Sequence, residues 1–258
     1  MRETPTLRIH TGTRAWDTIW KWTWFAREQW LGEFREQKKG TRRFLKSLLP
    51  ELAVKSVLDS SCGLGTKTIL LAEMGYDVEG CDWSKVAVRH AAELGREEGF
   101  DIRFFHSRWE KLAETAGRKY DCVYNDGFHW IKAHRSLLAS AEGIHSVLKR
   151  GGKFIFHGAH QWSRDEDRKR VIEEWFQAEG SFEVLPVCEK DGIRLMVVIT
   201  REKRPDGVLG SRIHVIDDHG VVRVEIAQVL DAYIWTWEDY GETLRKAGFR
   251  KIYSVKMN

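Results

Sequence analysis

Two carboxylates and a pair of glycines carry the first chemical signal in this chain. In VLDSSCGLGTKT, residues 57–68, an apolar run ends at Asp59 and leads to Gly63 and Gly65, then to a polar, helix-forming tail. Glycines at such a turn let the backbone pass close to a ligand, and the following helix offers its free N–H groups there. The spacing lacks the third glycine of a dinucleotide fingerprint and the Gly-Lys-Ser/Thr of a phosphate loop. The next strand, DVEGCD (77–82), ends on a second acid, Asp82, followed by Trp83. A carboxylate at that place can accept hydrogen bonds from both hydroxyls of a ribose. Asp59, Gly63, Gly65, Asp82 and Trp83 together point to a nucleoside-type cofactor. The blander reading makes Asp82 a cap for the helix that follows.

Aromatic and imidazole side chains form the second signal. Five of the twelve tryptophans fall between Trp16 and Trp30. Trp16, Trp20 and Trp24 recur at helical spacing, which reads first as a core stripe. Trp22 and Trp30 lie off that stripe, where an aromatic face over a cationic ligand would contribute ~0.5–2 kcal/mol. His129, His157 and His160 follow predicted strands and become candidate substrate contacts, since ligands of open sheets gather at strand ends. Their spacing is not that of a metal site, and no metal is expected.

The elements that must position these groups alternate. TRRFLKSLL (41–49) reads as a helix stopping at Pro50, and SVLDSS, DVEGCD, IRFFHS, YDCVYND and KFIFHG read as strands with helices between them. That rhythm predicts an α/β, Rossmann-like sheet, mostly parallel, with helices on both faces. Between 183 and 230 the pattern changes to strands separated by KDG, RPDG and DHG, the signature of an antiparallel insertion. The helix TWEDYGETLRKAG (236–248) and a strand at FRKIYSVKM are expected to close the main sheet. The expected divisions are an N-terminal helical, tryptophan-rich lid (1–40), a cofactor-binding core (41–182), the insertion (183–230) and the closing elements (231–258).

The run VLDSSCGLG, DVEGCDWS, YDCVYND, LKRGGKFIF resembles the successive motifs of class I S-adenosylmethionine-dependent methyltransferases. Within them it is similar to the glycine/sarcosine N-methyltransferase group, whose first motif reads VLDxACGTG. The resemblance covers roughly residues 30–162 and the C-terminal helix. It implies S-adenosyl-L-methionine as cofactor, with contacts at Ser61 and Gly63, and Asp82 on the ribose. Arg108 and Trp109, in HSRWEKL, would flank the adenine, and Asp126 would meet the cofactor through its main chain. Trp30 and Arg35, in WLGEFREQKKG, would close over the methionine end, Arg35 pairing with its carboxylate. Where the group carries an Arg for the substrate carboxylate, this chain has Ala159, which cannot clamp an acid. The implied acceptor is therefore a small amine other than glycine, held by His157, His160, His129, Asp126 and Trp22. His129 and Asp126 are the candidates for taking its proton.

Composition limits the alternatives. A net charge of +4, with basic and acidic residues interleaved as in RDEDRKR, is not the concentrated patch of a nucleic-acid binder. NDGF (125–128) faintly resembles the Asn-Pro-Pro-Tyr/Phe turn of base methyltransferases, but both prolines are missing. No apolar run reaches the ~18–20 residues of a membrane span, and MRETPTLRIH lacks the apolar centre of a secretory signal, so a cytoplasmic location is expected. The four scattered cysteines suggest small buried apolar residues rather than disulfides. A small-molecule O-methyltransferase and a cofactor-binding module without catalysis remain open beside the N-methyltransferase reading. Oligomeric state is not readable from these patterns.

Overall fold

The computed structural model describes residues 6–156, 165–232 and 235–253. The chain forms two compact units, one from residues 1–31 and 162–234, the other from 32–161 and 235–258.

A short strand, β1 (Thr6–His10), and a helix, α1 (Gly12–Phe25), open the first unit. A long helix, α2 (Arg27–Glu51), runs on into the second and ends one residue beyond Pro50. Five strands then alternate with helices: β2 (Ser56–Asp59), α3 (Thr66–Glu73), β3 (Asp77–Asp82), α4 (Lys85–Glu97) and β4 (Phe104–His106). A 3-10 turn at Trp109–Lys111, the single turn α5 (Leu112–Thr115), β5 (Tyr120–Asn125), α6 (His134–Ser146) and β6 (Leu148–Phe156) follow.

The sheet has the order β4-β3-β2-β5-β6, and every pair is parallel, as the alternation predicts. The chain builds outward from β2 in one direction and then restarts at β5 on its other side. The strand ends of β2 and β5 therefore flank the point where a ligand crevice forms in this class of sheet. β2 is buried along its whole length, and Leu45 and Leu49 of α2 pack with Val57, Leu71, Val78 and Tyr124 in the core beneath it. All four cysteines are buried and free, in keeping with their reading as small apolar residues.

The other unit holds α7 (Asp165–Glu179) and strands β7 (Phe182–Val184), β8 (Cys188–Lys190), β9 (Ile193–Arg204), β10 (Gly207–Asp218) and β11 (Val221–Ala232). They form a six-stranded sheet, β1-β11-β10-β9-β7 with β8 also on β9, antiparallel except where β1 joins β11. Two hairpins turn through two-residue loops, Asp191-Gly192 and His219-Gly220, in which all four residues have positive φ. That is the turn whose twist matches the flanking strands, and it explains the KDG and DHG signals. α1 packs Ala15 and Ile19 on Ala227 of β11, and α7 packs Ile172 on Val208 of β10. These contacts draw the unit boundaries at 31/32 and 161/162, earlier than the 40/41 and 182/183 expected from pattern alone.

Helix α8 (Trp237–Lys246) closes the core unit, its start fixed by a capping box between Thr236 and Asp239. The expected last strand differs: residues 249–253 are not in a strand, and 254–258 lie outside the described residues.

Candidate active site

Four strand ends of the core sheet converge on a small hydrogen-bonded cluster. Gly63 and Gly65 both have positive φ, 51° and 84°, so the turn after β2 uses the backbone freedom that glycine alone offers cheaply. At Gly65 a Cβ would also lie 3.0 Å from the Ala91 Cβ of α4, so the position is closed sterically as well.

Asp82 ends β3 and is 7% exposed. One carboxylate oxygen accepts the Gly63 N–H at 3.0 Å, and the other accepts the Ser84 N–H at 2.9 Å. The helix cap itself is Ser84, whose hydroxyl accepts the Ala87 N–H. Asp82 is therefore tied to the glycine turn rather than serving only the next helix. Burial pushes its pKa up to about 6, against the pull of the two backbone N–H groups. A carboxylate has about four acceptor sites, so two remain for ligand hydroxyls.

Asp59 ends β2 and is held within the turn that follows. It is 2% exposed, with Thr68 Oγ1 donating to it at 2.7 Å and the Ser61 N–H at 3.4 Å. Burial raises its pKa, while Thr68 and the charge of Lys67 oppose the rise. Its carboxylate braces the turn onto α3.

Ser60 and Ser61 join the β2 and β5 ends. Asn125 Nδ2 donates to Ser60 Oγ at 2.8 Å, and the Asp126 N–H donates to Ser61 Oγ at 2.7 Å. Trp109 Nε1 donates to the Ser60 carbonyl at 2.5 Å, which brings the loop after β4 to the same point. Beneath Trp109 lie Gly127, where a Cβ would be 3.4 Å from its ring, and Gly143 of α6, where a Cβ would be 2.1 Å from its carbonyl oxygen. Arg108, by contrast, is open to solvent and pairs with Glu110 at 3.6 Å. Trp83 is 37% exposed and leaves a ring face available beside Asp82.

The carboxylate of Asp126 is already engaged. Tyr124 Oη donates to one oxygen at 2.7 Å, and Lys67 of α3 pairs with the other. Both partners hold the carboxylate in place on the loop after β5. Burial in turn lowers the pKa of Lys67. His129 sits half-buried in the 3-10 turn Phe128–Trp130, its ring 5.0 Å from that of Trp130. The fully buried Phe128 anchors this turn between Phe154, Phe156 and Tyr240.

Trp22 lies in the unit formed by residues 1–31 and 162–234. It is 2% exposed, donates through Nε1 to Glu225 at 3.0 Å and stacks on His214. The buried face of α1 runs through Ala15, Ile19 and Trp22, whereas Trp16 and Trp24 are half-buried, so the expected stripe and the observed one differ. Trp30 packs in the same unit with Phe25 and Leu185 around Leu195. The side chain of Arg35, and the whole of His157, Ala159 and His160, lie outside the described residues.

Lys67, Tyr124, Asn125 and Ser60 were not singled out from the sequence. The signal for Tyr124 was its place two residues before Asp126, near the end of β5. The other three act through contacts between segments far apart in the chain. A cavity of about 1560 Å3 lies in this unit, along β6, lined by Phe44, Leu48, Phe156 and Tyr253 among others. None of the strand-end acids lines it, but Tyr124, which donates to Asp126, does.

Residues 57–152 match the family described as "Methyltransferase domain". A glycine/sarcosine N-methyltransferase of Aphanothece halophytica is 31% identical over 54% of this chain and 49% of its own. A ubiquinone biosynthesis O-methyltransferase of Nitrosococcus oceani is 33% identical over 41% of this chain and 44% of its own. The chain thus spans about half the length of the curated relatives it matches. Among solved structures, an S-adenosylmethionine-dependent methyltransferase from Clostridium acetobutylicum superposes with a TM-score of 0.60 at 18% identity, covering 81% of this chain and 79% of that one. At that identity the likeness speaks for the fold.

Proposed function

We propose that this chain, whose core is a class I S-adenosylmethionine-dependent methyltransferase domain, transfers a methyl group to the nitrogen of a small-molecule acceptor other than glycine. The observation that carries the reading is Asp82: a buried carboxylate at the end of β3, tied to the N–H of a positive-φ glycine beside the point where strand order reverses.

The residues present fit the cofactor. Asp82 retains two acceptor sites for ribose hydroxyls. Gly63 and Gly65 keep side chains out of the turn, and Trp83 and Trp109 offer aromatic surface on the adjoining loops. When bound, S-adenosyl-L-methionine supplies a methyl group already activated by a sulfonium. The protein then has to orient the acceptor and exclude water, holding reacting atoms ~3–3.5 Å apart. An amine acceptor reacts as its neutral form, and it loses a proton in the course of the reaction. With Asp126 held by Lys67 and Tyr124, His129 is the group we assign to receive that proton.

The exclusion of glycine rests on Ala159, which stands where the glycine/sarcosine enzymes carry an Arg. Two arginines of the insertion, Arg194 and Arg223, pair with Glu189 and Asp218. The 33% identity to an O-methyltransferase favours an oxygen acceptor, a phenol or a carboxylate, as the second reading. Transfer of labelled methyl groups to a panel of amines, glycine, sarcosine, phenols and carboxylates tests both. We expect an amine without a carboxylate to be the best substrate. Glycine or sarcosine leading the panel would overturn the assignment, and a phenol or a carboxylate methylated on oxygen leading it would select the second reading.

A further inference from the structure

The six-stranded sheet has two faces, and helices cover one of them. Leu195, Val197 and Ile199 of β9, Ile216 of β10 and Ala227 of β11 point toward α1 and α7 and are buried. Side chains of a strand alternate, so the intervening residues form the opposite face. The helices of this unit, α1 and α7, pack on the buried face through Ile19 and Ile172.

That opposite face is apolar. Met196 is 37% exposed, Leu7 59%, Ile9 58% and Phe182 65%. Ile213 of β10 lies opposite Ile226 of β11, which in turn lies beside Ile9 of β1, so the row continues across three strands. On β9 this face carries no charge between Arg194 and Glu202. On β10 and β11 it carries none from Leu209 to Val215 and from Val222 to Leu230. A solvated sheet face ordinarily alternates apolar-in with polar-out. Between its charged ends this one holds only Thr200, Ser211 and Gln228 as polar groups.

The size narrows the occupant. Five strands ~4.8 Å apart, 44 residues in all at ~3.3 Å each, present on the order of 700 Å2 in projection. The corrugated accessible surface exceeds its projection, and a stable interface needs about 800 Å2 per partner. Exposed apolar patches on monomers rarely pass a few hundred Å2. A flat, uncharged face also matches itself: a two-fold axis lays its apolar centre on the same centre of a second copy, as aligned sheets pack ~10 Å apart. Its ends suit such a pairing. One end of β9 carries Arg194 paired with Glu189, and the other carries Glu202 paired with Arg204, so both signs are present wherever the ends meet.

We infer that this sheet face is a homodimer interface, two copies of the chain packing face to face through β1, β11, β10, β9 and β7. The inference rests on the sheet alone and is independent of the activity proposed above.

Sedimentation equilibrium of the full chain and two variants tests it. Ile213→Lys puts a charge at the centre, and Met196→Glu puts one at a position already open to solvent, which keeps the test valid should the first fail to fold. The native chain is expected to be a dimer at micromolar concentration. Each folded variant is expected to raise the dimer dissociation constant by roughly 100-fold or more, because an unpaired charge would be buried. Circular dichroism and S-adenosylmethionine affinity should be unchanged. A native chain that stays monomeric at about 100 µM overturns the inference, as does a folded variant that dimerises like the native chain.

Discussion

Replacing Asp82 by Asn separates the two jobs that the geometry assigns to this residue. The side chain keeps its shape but loses its charge and one acceptor oxygen. In the native protein its two oxygens hold the Gly63 and Ser84 N–H groups. Asn can accept only one of them, and its amide would face the other N–H, which costs about 1–3 kcal/mol of stability for an unsatisfied buried donor. Cofactor binding should suffer separately. Losing one charge-assisted hydrogen bond to a ribose hydroxyl costs about 1.5–3 kcal/mol, or roughly 10- to 150-fold in Kd. Titration calorimetry with S-adenosylmethionine at pH 7.5 measures the second effect, and thermal melting without ligand measures the first. The pH dependence adds a signature. With its pKa near 6, Asp82 is ionised at pH 7.5 and mostly protonated at pH 5. Hydroxyl donors favour the ionised form, so native affinity should fall about tenfold per unit below that pKa, and the Asn variant should lack the fall. An Asn variant that binds as tightly as the native chain, with the same pH profile, would refute the ribose role and leave Asp82 a brace for the glycine turn.

Three further outcomes follow from the same geometry. Gly143→Ala would drive a Cβ to 2.1 Å from the Trp109 carbonyl oxygen, so the urea midpoint should fall by the equivalent of about 3 kcal/mol or more; an unchanged midpoint would mean that α6 and the Trp109 loop are not in contact. Lys67→Met removes the cation beside Asp126, and amide hydrogen exchange from Asp126 to Trp130 should accelerate while global stability falls by about 1 kcal/mol; protection equal to the native would count against the pair. His214 is buried neutral, its pKa lowered to about 4 by desolvation. The unfolded chain therefore binds the extra proton first, and stability is lost as pH falls from about 6.5 toward 4, by up to about 3 kcal/mol. Asp82, raised instead of lowered, acts in the opposite direction between pH 4 and 6. The melting temperature of His214→Phe should show a shallower acid decline than that of the native chain.

Much of the site was readable because it is local. Buried strands ending in Asp59 and Asp82, and a glycine turn between strand and helix, announce themselves in a dozen residues. What escaped the sequence depends on distant pairings. Trp16, Trp20 and Trp24 mark α1 as a helix, but which face is buried is decided by Ala227 and Leu195, some two hundred residues away. β1 is a strand because β11 receives it in register, Thr6 beside Arg223. Its five residues alone carry too little periodicity to say so. Asp126 was a candidate base because the resemblance brings it to the cofactor. Lys67 reaches it from the far end of the glycine turn, and that meeting exists only once β2 and β5 lie side by side.

The central claim is that the core binds S-adenosyl-L-methionine at the strand ends around Asp82. Equilibrium dialysis of labelled S-adenosylmethionine against the full chain tests it most directly. The account predicts one saturable site per chain, competed by S-adenosylhomocysteine and weakened by Asp82→Asn. Absence of saturable binding, or binding indifferent to both the competitor and the substitution, would contradict it.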